Sequence, residues 1–120
     1  MVGLDLVYQA RSYSTGIVGR SICNARNQHW VAENTGGEAV GAGELFCASI
    51  AACAVNMVST IADKEDRALG GMEVNVALYR DMEKKPAGEV SLYDATRIEF
   101  RMWGVSDDDA KFLVKTWKQR

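Results

Sequence analysis

At 120 residues the chain can form one domain (1–120) with a modest core, and it is short enough that pairing with a second copy would bury useful extra surface. Fourteen Lys and Arg against sixteen Asp and Glu, interspersed to a formal net charge of −2, form no basic run interleaved with aromatics, which argues against a nucleic-acid partner. Three cysteines, an odd number without a CxxC pair, argue against a disulfide framework and a zinc site, and no metal or cofactor is expected. Free thiols, with no basic start and apolar block at the N-terminus, place the chain in the reducing cytosol.

In chain order, Val2, Leu4, Leu6 and Tyr8 alternate at period two, and Tyr13, Thr15 and Ile17 repeat the alternation after a polar break. The pattern predicts two strands of a hairpin, followed by a third extended piece, "QHWVAE". The glycines of "NTGGEAVGAG" suit a winding connection; without a long preceding strand and the right spacing they make no phosphate-binding fingerprint. A long helix is predicted over 43–64. Its apolar stretch 45–62 is interrupted by Ser49, Asn56, Ser59 and Thr60 and followed at once by charges, which reads as a buried helix of a soluble protein and not as a membrane span.

Farther on, Met72, Val74, Val76 and Leu78 alternate with polar or small residues, and Thr96, Ile98, Phe100 and Met102 alternate with Arg97, Glu99 and Arg101. These are two antiparallel strands joined through a loop around "KKPAGE". The last element is a helix with Ser106 as its N-cap. Asp107, Asp108 and Asp109 stand at the positive end of its dipole, Lys115, Lys118 and Arg120 at the negative end, and Ala110, Leu113, Val114 and Trp117 form its apolar stripe. Strands, long helix, strands, short helix make an α+β fold.

The chemistry turns on "GELFCASIAACAVNMVSTIA", residues 43–62. At about 100° per residue, Ser49, Cys53, Asn56 and Thr60 fall on one narrow semi-polar face, while Cys47 falls nearly opposite among Ile50, Ala54, Val58 and Ile61. Cys47 there behaves as a small hydrophobe. Cys53 is the candidate thiol, although "AACAV" is equally what close helix packing selects. The two cannot bridge within one helix, because about 9 Å of axial rise separates them. A mid-helix thiol gains reactivity only from a nearby cation. Arg11, Arg20 and Arg26 are the upstream arginines, with Arg20, following "TGIVG", preferred; each could equally be a solvated strand residue. Glu44 opens the helix, where it could cap the dipole, hold an arginine or handle a proton. His29 reads as structural, and Cys23 as packing or simple exposure.

The segments "GGEAVGAGELFCASIAAC", "ALGGMEVNVALYRD" and "GVSDDDAKFLVKTW", in this order and spacing, resemble the OsmC/Ohr proteins, named for osmotic induction and organic hydroperoxide resistance. The resemblance implies an OsmC-like fold: an intertwined homodimer whose antiparallel sheets wrap around long central helices. It implies that Cys53 is a peroxidatic cysteine at the dimer interface. As a thiolate it would attack an organic hydroperoxide and become a sulfenic acid, with Arg20 stabilising it and Glu44 orienting the arginine. The family's resolving cysteine would follow the C-terminal helix. Either that cysteine lies beyond Arg120 or an external thiol reductant completes the cycle. Two alternatives remain: a hotdog-like acyl thioesterase using Glu44 as general base, and a non-catalytic OsmC-like dimer whose groove binds an apolar ligand while Cys53 merely packs.

Overall fold

The computed structural model describes residues 2–34, 36–83 and 93–119. Its elements are β1 (Arg11–Ser14), β2 (Arg20–Ala25), β3 (Gln28–Glu33), α1 (Ala42–Lys64), β4 (Gly71–Tyr79), β5 (Ala95–Trp103) and α2 (Asp107–Lys118). Two helices and two antiparallel sheets, β1-β2-β3 and β4-β5, make the α+β architecture that the hydrophobic periodicities predict. The chain divides into two compact units, Met1–Leu45 and Phe46–Arg120.

The N-terminal unit is a meander whose turns are set by local chemistry. Gly16 and Gly19, at φ of +88° and +83°, reverse the chain between β1 and β2. Thr15 ties the turn down by donating from Oγ1 to the Arg20 carbonyl at 3.1 Å and accepting the Ile17 N–H at 3.2 Å. Ala25 faces Gln28, so Arg26 and Asn27 alone connect β2 to β3, with Arg26 at φ +52°. This corrects the expected hairpin. Tyr13 lies in β1, Ile17 lies in the glycine turn, and the second strand is Arg20–Ala25, which the alternation did not mark. Leu4, Leu6 and Tyr8 are 64, 73 and 91% exposed and join neither sheet. Alternation measures an apolar face that needs cover, and among the described residues no strand pairs with it. The third strand is "QHWVAE", as expected.

The C-terminal unit closes a core. β4 and β5 pair along their whole length, from Gly71 opposite Trp103 to Tyr79 opposite Ala95, with Val74 opposite Phe100 and Met72 opposite Met102 on one face. Val58, Ile61 and Ala62 from α1 and Leu113 from α2 are buried together, and Met72, Phe100, Met102, Phe112 and Trp117 pack around them. Phe100 meets Trp117 edge-on at 5.5 Å between ring centres, an arrangement that adds about 0.5–1.5 kcal/mol beyond area burial.

Helix ends in this unit follow their sequence signals. Ser106 Oγ accepts the Asp109 N–H at 3.1 Å, the N-cap bond expected for α2. Asp66, at φ +52°, ends α1 while the Glu65 and Arg67 amides donate to Ile61 and Ala62 at 2.9 Å. Arg67 then pairs with Asp109 and lies 3.9 Å over the Phe112 ring, fastening the exit of α1 to α2. Gly104, at φ +66°, packs against Gly70, where an added Cβ would stand 2.7 Å from the Gly70 nitrogen, so the approach of those backbones requires glycine. The expected "KKPAGE" loop lies outside the described residues.

α1 departs from the sequence expectation in one respect. Within the chain only Ala54, Val58, Ile61 and Ala62 are buried, and 22% of its most apolar stretch is covered. By length and composition alone the helix could also cross a membrane. Its buried side is the one the helical wheel assigns to the core, and most of the remainder is partly or wholly open.

Candidate functional site

The semi-polar stripe of α1 keeps its hydroxyls for its own backbone. Ser49 Oγ donates to the Phe46 carbonyl at 2.7 Å and Thr60 Oγ1 to that of Asn56 at 2.8 Å. With those groups turned inward, the reactive atom left at the middle of the stripe is the Cys53 sulfur. Cys53 is exposed, and its Sγ approaches Met57 Sδ, one helical turn on, at 3.5 Å. Cys47 is half-buried, on the side of the wheel shared with the buried Ala54, Val58 and Ile61. The third thiol, Cys23, is buried in β2, where Ser12 Oγ donates to its Sγ at 3.1 Å. Of the three, Cys53 is the most open to a reactant in solution.

In the N-terminal unit Arg20 opens β2 and faces Glu33, the last residue of β3. Arg20 Nη2 donates to Glu33 Oε2 at 2.9 Å; the arginine side chain is 36% exposed and the glutamate 12%. A charge-assisted bond to a carboxylate so far withdrawn from water fixes the guanidinium. Arg20 Nε is buried and has no hydrogen-bond partner among the described residues. Glu33 is held from the backbone side too, its N–H donating to the Val40 carbonyl at 3.0 Å. Gly37 lies against its carboxylate: a Cβ there would come within 2.5 Å of Glu33 Oε1. The glycine loop therefore serves as a connection whose bare backbone leaves space for that carboxylate.

Arg20 also lines a hollow of about 450 Å³, shared with Tyr13, Ile17, Val18, Ala32 and Asn34. The size is that of a small-molecule site. Glu44 Oε1 accepts the Gly41 N–H at 3.0 Å, the backward reach of a capping carboxylate at a helix start. His29 is exposed beside Asn24, whose amide, oriented to satisfy both neighbours, donates to His29 Nδ1 and accepts from Arg11 Nη2 at 3.1 Å.

Sequence reasoning did not single out Glu33. Its signal was the register: a connection of two residues at Arg26 and Asn27 puts position 20 opposite position 33. Asn27 is a common turn residue, but Arg26, at φ +52°, stands where a two-residue hairpin turn usually carries Asn, Asp or Gly, so that register could not be read from residue types alone. Among the described residues no cluster of three or more His, Cys, Asp or Glu is arranged to hold a metal ion.

No protein-family model matches the sequence, and no curated protein does. Solved structures do. An OsmC-like protein from Mycoplasma pneumoniae superposes with a TM-score of 0.83 at 12% identity, over 98% of this chain and 84% of that one. An organic hydroperoxide resistance protein OsmC from Legionella pneumophila, described as a predicted redox protein, gives 0.66 at 17% identity over 95% and 83%. A putative organic hydroperoxide resistance protein from Vibrio cholerae, with captopril bound in one of its active sites, gives 0.63 at 16% identity over 98% and 82%. At these identities the likeness establishes the fold: the chain has an OsmC-like fold.

Proposed function

We propose that this chain is an OsmC-like thiol peroxidase that reduces organic hydroperoxides through Cys53. The observation that carries the reading is the exposure of that one sulfur on the open face of α1, in a fold shared with hydroperoxide resistance proteins.

In this reading the Cys53 thiolate attacks the outer oxygen of R–O–OH. A sulfur–oxygen bond forms as the O–O bond breaks, the leaving alkoxide takes up a proton as an alcohol, and the cysteine is left as a sulfenic acid. An external thiol then attacks that sulfur, expelling water and forming a mixed disulfide. A second thiol of the reductant resolves it and returns Cys53 to the thiol. A guanidinium favours both the thiolate and the developing alkoxide, and Arg20 is the residue assigned that role. Its carboxylate partner at 2.9 Å supports Glu33 as the group that orients it, with Glu44 serving the helix start.

The working unit in this proposal is a cytosolic homodimer with the sheets wrapped around paired central helices. Support comes from the apolar surface that one chain leaves open, including Phe46 on α1 and Leu4, Leu6 and Tyr8 near the N-terminus. The small exposed residues Ala48, Ser49 and Ala52 of α1 would permit a second helix to approach beside Cys53.

The test is intact mass before and after one equivalent of cumene hydroperoxide, with a sulfenic-acid trap and peptide mapping. Rapid uptake of one oxygen at Cys53, abolished in Cys53→Ser with unchanged circular dichroism, is the expected result. Equal and slow reaction of the two proteins would remove the proposal.

A further inference from the structure

A second concave surface lies wholly within the C-terminal unit and has no part in the thiol chemistry. It is a groove of about 420 Å³ between β5 and α2, floored by Phe100, Met102, Ala110 and Val114 and bordered by Lys111, Lys115 and Lys118. The lysines are spaced four and three apart, so they stand on one stripe of α2, and all three are exposed. Like charges at that spacing repel one another, and none of the three has an ion pair among the described residues.

The acids nearest in the fold do not relieve the repulsion. Glu99 and Glu73 alternate to the other face of the β4-β5 sheet, where they meet Arg97 and Arg101. On α2, Asp109 is engaged with Arg67, and Asp107 and Asp108 stand in the first turn, where the helix dipole holds them. In a chain of net charge −2, three unpaired cations over an apolar floor make a local field of the opposite sign.

We propose that this groove binds an aliphatic carboxylate, its chain along Phe100, Met102 and Val114 and its carboxylate among the three lysines. The volume falls within the range of small-molecule sites, roughly 300–1,000 Å³. Met102 gives the floor an adaptable side chain, and Ala110 leaves the space that a larger residue would fill. The lysine stems extend the apolar wall while their ammonium groups stay in water, which suits a ligand with one apolar end and one charged end.

The test is titration of the whole chain with decanoate, followed by the methyl resonances of Met102, Ala110 and Val114, with 1-decanol as the uncharged control. Saturable shifts confined to those methyls, with decanol at least about tenfold weaker, a difference of about 1.4 kcal/mol, are expected. Changing all three lysines to Gln should reduce decanoate to the affinity of decanol. Ala110→Leu should abolish binding of both in a protein that remains folded by circular dichroism. Cys53→Ser should bind decanoate as the parent does, so this result is independent of the peroxidase reading. Equal binding of acid and alcohol, shifts centred elsewhere, or methyl resonances that respond to protein concentration instead of ligand would each overturn the proposal.

Discussion

The two units of this chain solve the burial problem to different degrees. Phe46–Arg120 encloses Val58, Ile61, Ala62 and Leu113 and surrounds them with half-buried aromatics and methionines, so it has a centre of its own. Among its described residues Met1–Leu45 buries only two small side chains, Cys23 and Ala32, and leaves Tyr13, Ile17, Val18 and Val31 open. A meander of three short strands has two edges and one face to cover, and its own residues do not cover it. The lesson is that one sequence can carry a finished core and an unfinished one, and the unfinished one is where the proposed second copy would supply cover.

The sharpest way to break that contrast is through the thiols. Cys23, buried in the N-terminal unit, should react with an alkylating reagent at least about a thousandfold more slowly than Cys53, because access requires local opening worth several kcal/mol. Mass-mapped alkylation time courses check this; comparable rates would mean that the β1-β2-β3 sheet opens freely.

Next in size is the core itself. Leu113→Ala, at a fully buried position, should cost about 2–5 kcal/mol in denaturant unfolding, whatever the protein concentration. Val31→Ala, at a position 40% exposed in the single chain, should cost under about 1 kcal/mol if nothing covers it. If a second copy lies over that face, the cost should instead grow and the unfolding midpoint should depend on concentration.

Arg20→Ala should slow peroxide-driven oxidation of Cys53 by about 10- to 100-fold and slow its alkylation by a neutral reagent less, because alkylation draws on the thiolate alone and not on the developing alkoxide, measured by stopped-flow and by mass mapping. Smallest of all, Gly37→Ala must displace the Glu33 carboxylate that its Cβ would strike. A loss of a few fold in the same oxidation rate, without loss of the fold, is expected if Glu33 orients Arg20.

What could be read before folding was whatever one helix or one strand determines about itself. The period of 3.6 in 43–64 separated Cys53 from Cys47, and one thiol is exposed while the other is half-buried beside buried neighbours. The alternations of 72–78 and 96–102 located β4 and β5, and Ser106 with its three aspartates marked the start of α2. The N-terminal strands were less legible, because two glycines placed a turn inside an alternating run and β2, "RSICNA", has no clear alternation of its own.

The sequence alone determined which face of α1 is apolar, where the helices begin and which sulfur stands on the polar side, since these follow from spacing along a fixed helical pitch. Tertiary structure decided that Arg20 meets Glu33 and that three lysines border an apolar groove. Those facts depend on strand register and on how α2 lies over β5, and both are set by long-range packing that no local pattern of residues encodes.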